Sequence, residues 1–429
     1  MNFKNLHQNV KYRMAIIFIS TMQSNMVFPF MSIYFAKNIG LVQTSIFMSA
    51  AIIISFIASI WGGDLSDKIG RKKIMVTSEY MKFFTFASFA LTNSPWLEAP
   101  YITLIFFFLY NISSGLYSPA SEAMLLDVST PEERKYIYAI IYWISNLSIA
   151  IGGAAGAFLF QNYLFYLFSG LTIVSIVTWF ITWFVITETH FPLQNRASNF
   201  SSNKKTKEFK SLLANYKTVA SDRLFLFFVL SGLLLFSLES HLVNFISIRL
   251  AEQVISAPVS PFNINVTGVE LLGFLRVENT VLVLLFSLFV LKIIKKFKEK
   301  NLILIGFGLY IIGYSVISYS NSPTVLFIVM AIAVVGEVIA FPIHQTYLGD
   351  IIPDSSRSSY LALNRIALKG SGLIGTLFIM LASFLPYSII SWFVWCSGAV
   401  AFILLYKILP SIYKRRMERE KNILESNIN

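Results

Sequence analysis

Apolar residues run along this chain in long blocks that neither alternate nor thin into amphipathic stripes. Twelve blocks stand out, at 14–36, 42–62, 74–93, 101–126, 136–160, 163–187, 224–248, 270–291, 301–320, 324–347, 358–382 and 386–409. Each is long enough to cross a hydrocarbon layer of about 30 Å at about 1.5 Å per residue. Backbone groups in lipid must satisfy one another, so the blocks read as helices; barrel strands would be shorter and would alternate. The first block follows Lys4, Lys11 and Arg13, is too long for the apolar core of a secretion signal and has no small-residue cleavage site, so it reads as a retained spanning helix. The pattern predicts an all-α membrane protein of twelve transmembrane helices.

Composition agrees. Of 429 residues 56% are hydrophobic and only 13% are charged, against about a quarter in soluble domains. A single cysteine, Cys396, excludes an internal disulfide, and with four histidines the sequence offers no metal cluster. No P-loop, HExxH or GxSxG pattern occurs, and the loops are too short for a catalytic domain. The chain reads as a non-enzyme without cofactor or metal, driven by an ion gradient.

The net charge of +12 would suggest nucleic acid in a soluble protein. Its distribution says otherwise. With the N-terminus placed in the cytoplasm, 27 of the 34 Lys and Arg residues fall on the cytoplasmic side, Lys37 and Arg249 fall outside, and Lys82, Arg276, Arg365, Lys369 and, at the cytoplasmic end of the last span, Lys407 fall within spans. The positive-inside rule then predicts a multi-pass protein of the cell membrane with both termini cytoplasmic. Its basic loops face anionic lipid headgroups, and nucleic acid is not a partner.

The longest internal loop divides the chain into six spans and six. The expected organisation is an N-terminal bundle (1–187), a cytoplasmic linker (188–223) with a surface helix near 210–219, a C-terminal bundle (224–410) and a basic tail (411–429). A weak internal match supports two pseudo-symmetric six-helix bundles: Pro119 precedes Asp127 by the same interval as Pro342 precedes Asp350, each pair at the end of the fourth helix of its half. A parallel repeat predicts a substrate site between the halves near mid-membrane.

After the second span comes Gly62-Gly63-Asp64-Leu65-Ser66-Asp67-Lys68-Ile69-Gly70-Arg71-Lys72-Lys73. Gly63 and Gly70 read as a tight turn and a close helix approach. The segment resembles the signature of the major facilitator superfamily, at the place where that family carries it. The resemblance implies a latch in which Arg71 pairs with Asp127 and Asp67 sits at the start of the eleventh span, where the helix dipole favours an anion.

Within the superfamily the chain is most similar to twelve-span drug/proton antiporters of Gram-positive bacteria, including the lactococcal multidrug type. The most similar segments hold Tyr142-Trp143, Asn146 and Gly336-Glu337. The run Ala150, Gly152, Gly153, Ala154, Ala155, Gly156 resembles the antiporter motif without its proline, and its small residues let spans 5 and 8 pack closely. Ile141 stands where some of these exporters carry an acid, so coupling must use other carboxyl groups.

A charge at mid-bilayer costs roughly 2.5–3.5 kcal/mol on insertion scales, so each needs a partner or a task. Glu337, within AIAVVGEVIAF, is the first candidate proton carrier; Glu239 is the second and Glu122 a third. Arg276 is a candidate partner for Glu337 or Glu278. Glu79 and Lys82, three apart, read as a structural pair. His241 and His344 read as ordinary polar residues. The expected substrate site draws on Gln23, Asn25, Tyr142, Trp143, Asn146, Glu239, Arg276 and Glu337, aromatic rings serving flat or cationic compounds. The resulting expectation is a monomeric proton-coupled exporter of amphipathic, cationic small molecules. The alternative is a proton-coupled carrier for one sugar, peptide or lipid-like solute.

Overall fold

The computed structural model describes residues 6–189, 219, 221–259, 264–294, 297–353 and 357–428. The chain order is α1 (Gln8–Ile39), α2 (Leu41–Ile69), α3 (Arg71–Thr92), a hairpin of β1 (Asn93–Ser94) and β2 (Leu97–Glu98), α4 (Pro100–Asp127), α5 (Pro131–Asn162) and α6 (Leu164–Phe180), which ends in a π-turn at Ile181–Val185. There follow α7 (Arg223–Val243), α8 (Phe245–Gln253), a hairpin of β3 (Ala257–Val259) and β4 (Ile264–Val266), α9 (Gly268–Ile294), α10 (Glu299–Tyr319), α11 (Pro323–Ile351), α12 (Arg357–Leu381) and α13 (Tyr387–Ile428). Every expected span has its helix, the seventh being α7 together with α8.

Among the described residues, nine helical segments are long and apolar enough to cross a membrane. The other three long helices, α3, α9 and α12, carry Glu79 and Lys82, Arg276 and Glu278, and Arg365 and Lys369 respectively. Two features depart from the expected spans. The seventh breaks at Asn244 (φ −111, ψ −93), and α13 continues as helix through the expected basic tail. Of the expected linker, only Glu188, Thr189, Val219, Ser221, Asp222 and Arg223 are described; the surface helix at 210–219 otherwise lies outside the described residues.

The chain forms two compact units that do not follow its order strictly. The first holds Met1–Gln194 with Val243–Val281, the second Asn195–Leu242 with Leu282–Asn429. In the first, small residues set the helix spacings. A Cβ on Gly152 would meet the Met22 carbonyl oxygen at 2.5 Å and one on Gly156 the Met26 carbonyl oxygen at 2.5 Å, so this edge of α5 lies against α1. The next edge lies against α9, where a Cβ on Gly273 would collide with Ala157. The close approach expected of spans 5 and 8 is therefore present, and the same run also serves α1. Between α2 and α4 a Cβ on Gly62 would meet Leu116 Cα at 2.7 Å, whereas one on Gly63 would find only Pro119 Cβ, at 4.0 Å. The close approach expected of Gly63 thus belongs to Gly62.

A charged pair lies in the core of the first unit. Lys82 Nζ donates to Glu79 Oε1 at 2.8 Å, and Thr178 of α6 donates to the other carboxylate oxygen at 2.9 Å. Lys82 also stands 4.4 Å from the centre of the Tyr117 ring, whose hydroxyl accepts from Arg13 at 3.0 Å. All three charges are buried. The pair is structural, as its spacing predicts. Arg249, expected outside the spans, is also buried and donates to Gln253 at 3.2 Å within α8.

In the second unit α10 and α11 make the tightest seam. A Cβ on Gly313 would meet Ala333 Cβ at 2.6 Å and one on Gly306 Ala340 Cβ at 2.8 Å; on Gly336 it would collide with the Gly306 carbonyl oxygen. The first turn of α7 is tied down by Asp222, which caps Phe225 N–H at 3.2 Å and accepts two bonds from Arg415 (2.7 and 3.1 Å) and one from Tyr360 (3.0 Å).

Candidate functional site

The motif loop lies between the end of α2 and the start of α3. Gly70 joins them with φ +105, a conformation open to glycine and strained for other residues. Arg71 pairs with Asp127 at the end of α4, and Asp67 stands 3.8 Å from the same guanidinium, one turn earlier. The sequence does not signal the other half of this arrangement. Glu188, at the end of the sixth span, accepts from the backbone N–H of Arg71 at 3.1 Å and of Lys72 at 3.0 Å. A carboxylate in that position accepts from two of the unpaired donors of a helix start and is favoured by its dipole. Thr189 adds a bond to Asp127 at 2.9 Å. The matching acid of the second unit, Asp350, stands 3.7 Å from Arg416.

In the second unit the two leading carboxyl candidates lie near the same tyrosine. Both Glu239 of α7 and Glu337 of α11 lie within electrostatic reach of the buried Tyr310 hydroxyl of α10, which also neighbours the backbone of Glu239. Gly336 explains the geometry: its missing side chain lets α11 approach α10 at Tyr310 N, and the next residue is Glu337. Glu239 is exposed and Glu337 half-buried. Tyr314, ring centre 4.8 Å from that of Tyr310, extends the cluster. His344 packs on Phe228, ring centres 4.3 Å apart, and His241 on Phe378, also 4.3 Å. Both histidines are buried, and His241 lies in the last turn of α7.

The candidates of the first unit divide. Arg276 Nη2 donates to Asn25 Oδ1 at 2.7 Å, joining α9 to α1. It does not serve Glu278: residues two apart on a helix point about 200° apart, to opposite faces. Gln23 is buried and its amide donates to Leu171 O at 3.1 Å and Ser175 Oγ at 3.0 Å on α6. It is thereby a packing residue of the bundle, not an open ligand. Tyr142 and Trp143 are about half exposed, at 48% and 49%, and Asn146 donates back to the Tyr142 carbonyl at 2.8 Å. Glu122 is exposed on α4. At the end of this unit opposite the motif loop lies a cavity of about 650 Å³ lined by Tyr34, Lys37, Asn38, Asn93, Glu98 and Glu252, among others. Its lining comes from helix ends and both sides of the first hairpin, which no single-segment pattern reveals.

The family profile of the Major Facilitator Superfamily matches residues 14–262 and 240–425. A Planococcus maritimus protein named as a Na(+), Li(+), K(+)/H(+) antiporter is 28% identical over 366 residues, covering 84% of this chain and 86% of its own. Multidrug resistance protein MdtH of Blochmanniella floridana is 24% identical over 356 residues, covering 81% and 80%. Among solved structures, a POT family transporter in complex with 5-aminolevulinic acid superposes with a TM-score of 0.72 at 14% identity, covering 96% of this chain and 98% of its own.

Proposed function

The chain belongs to the major facilitator superfamily, and from that premise we propose that it is a proton-coupled antiporter exporting amphipathic, cationic compounds by alternating access. It is a transporter and not an enzyme, a multi-pass membrane protein with the twelve-helix fold of that family. What supports the finer reading is that two carboxyl groups carried on membrane helices, Glu239 of α7 and Glu337 of α11, both lie near the buried Tyr310 of α10. A carboxylate in a span attracts a cation and, once protonated, releases it, so proton and substrate exclude one another at the same oxygen atoms. One charge falling through 100 mV yields about 2.3 kcal/mol, enough for roughly fiftyfold accumulation.

In this reading Asn25, Arg276, Tyr142, Trp143 and Asn146 serve the substrate from the first unit, and Glu122 is a third proton-exchanging acid. Gln23 is left out, because its amide is bonded to α6. Gly63, Asp67, Gly70, Arg71 and Asp127 form the conformational latch, with Gly62 making its closest helix contact. The basic excess on one side of the spans supports cytoplasmic termini. Protons, a small-molecule substrate and the lipid bilayer are the partners, and the working unit is a monomer.

A second reading, alkali-cation/proton exchange, is favoured by the name of the Planococcus relative. Everted vesicles separate the two. With ethidium or Hoechst dye and an imposed pH gradient, wild type is expected to move dye, and Glu337→Gln and Glu239→Gln to lose that movement. If sodium or potassium collapses the gradient while neither dye moves, the second reading takes over. If neither cation nor dye moves, a carrier for one sugar, peptide or lipid-like solute replaces both. Unchanged dye transport in both variants removes the coupling role from these residues.

A further inference from the structure

Glu278 is an acid of the spans with no ion pair among the described residues. It lies on α9, in the part of that helix that belongs to the first unit. Its Oε2 is fully buried and has no hydrogen-bond partner among the described residues. The charged residue nearest in sequence, Arg276, is turned to the opposite face and bonded to Asn25. Glu270 lies two turns away and binds Thr267 in the capping box at the start of the helix. Positions 274, 275, 281 and 282, one turn to either side of Glu278, are Phe, Leu, Val and Leu. No hydrogen bond or ion pair from another element reaches the buried Oε2 among the described residues.

A carboxylate oxygen without donors in a low-dielectric interior is held at high cost as an anion, and such a group is normally neutralised. Two neutralising species are available to a membrane carrier, a metal cation and a proton. An alkali or alkaline-earth ion needs several oxygen ligands at once, and the buried oxygen has no polar partner to share one. A proton needs a single oxygen. We propose that Glu278 is a proton-binding site of the transport cycle, in the first unit and separate from the Glu239–Glu337 cluster of the second. The carboxylate takes one proton to become the neutral acid in the state described here, and gives it up when the helix packing around Oε2 opens.

The inference rests on the proton-coupled reading above, and its test keeps the two apart. Purified protein is reconstituted in liposomes, and ethidium movement is measured in two ways: driven by a pH gradient, and as exchange between equal pH values, which moves no net protons. Glu278→Gln is expected to lose driven movement and to keep exchange, whereas Glu278→Asp keeps both at reduced rate. Infrared difference spectroscopy of the same samples, without substrate, is expected to show a carboxylic-acid carbonyl band in wild type that Glu278→Gln lacks. Full driven transport in Glu278→Gln, or an undiminished carbonyl band, overturns the inference. If wild type moves no ethidium at all, the export reading fails while the infrared comparison still decides Glu278. Should the glutamine variant not fold, dicyclohexylcarbodiimide, which modifies protonated carboxyl groups in apolar surroundings, is applied to wild type. An adduct on the Glu278 peptide that declines as pH rises supports the site, and its absence at every pH overturns it.

Discussion

Replacing Gly70 by alanine tests how the motif turn is held. Two costs are readable from the structure. The backbone sits at φ +105, where a side chain strains the chain by about 1–3 kcal/mol. The new Cβ would also stand 2.5 Å from Glu188 Oε2, so the carboxylate must withdraw from the amides of Arg71 and Lys72. Loss of a helix cap of this kind costs about 0.5–2 kcal/mol. The two together amount to about 1.5–5 kcal/mol, which for a unit of this size lowers the unfolding midpoint by roughly 3–20 °C. Differential scanning fluorimetry of protein purified in a mild detergent measures it. Glu188→Ala alone is expected to show only the cap loss. In the double variant the second change adds almost nothing, because Glu188 has already been displaced. Full additivity of the two shifts would refute the reasoning, since it would mean that Glu188 still caps α3 when residue 70 carries a side chain.

Three further outcomes follow from the packing. Lys82→Met leaves the Glu79 carboxylate buried against Thr178 alone and is expected to cost about 3–5 kcal/mol, whereas Glu79→Gln with Lys82→Met recovers most of it; the folded yield in membranes, read by size-exclusion chromatography, checks this. Gly273→Ala drives a methyl group into Ala157 and is expected to cost about 1–3 kcal/mol, relieved by Ala157→Gly in the same protein, as thermal midpoints will report. Asp222 is partly desolvated, which raises its carboxyl, but the bonds from Arg415, Phe225 N–H and Tyr360 outweigh burial and hold it below its ordinary value of 3.8. Its contribution is therefore complete above that value and is lost as pH falls through the lower, folded-state one. Asp222→Asn is expected to be less stable than wild type at neutral pH and to converge on it in strong acid; parallel thermal midpoints at two pH values would show no convergence if the bonds were idle.

Much of the fold is legible because lipid leaves few alternatives. Twelve apolar blocks must be helices, and a basic glycine-containing loop after the second of them is a strong signal. The Arg71–Asp127 pair was accessible through resemblance, and the α5 run through residue size. What escaped was phase and partnership. Gly62 and Gly63 differ by about 100° around α2, and the sequence does not say which angle faces α4. Gln23 looks like a ligand until its two amide bonds to α6 are seen. Glu188 caps a helix that begins more than a hundred residues before it, and nothing in Ile-Thr-Glu-Thr-His marks it for that task. The break at Asn244 has neither proline nor glycine beside it. Glu278 was visible as a charge, yet only helix geometry removes Arg276 as its partner.

Because Val243–Val281 clusters with the N-terminal bundle, the gene has no clean seam at its midpoint. A fragment ending at Gln194 presents Gly153 and Ala157 bare, without the α9 backbone that fills the notch beside them. Such a half is expected to be cleared by cellular proteases when produced alone and to persist when the rest of the polypeptide is made beside it, an outcome that immunoblotting of membranes can read. Chimeras with other transporters will therefore exchange whole scaffolds more faithfully if the crossover respects residues 243 and 281 than if it is placed in the loop between the halves.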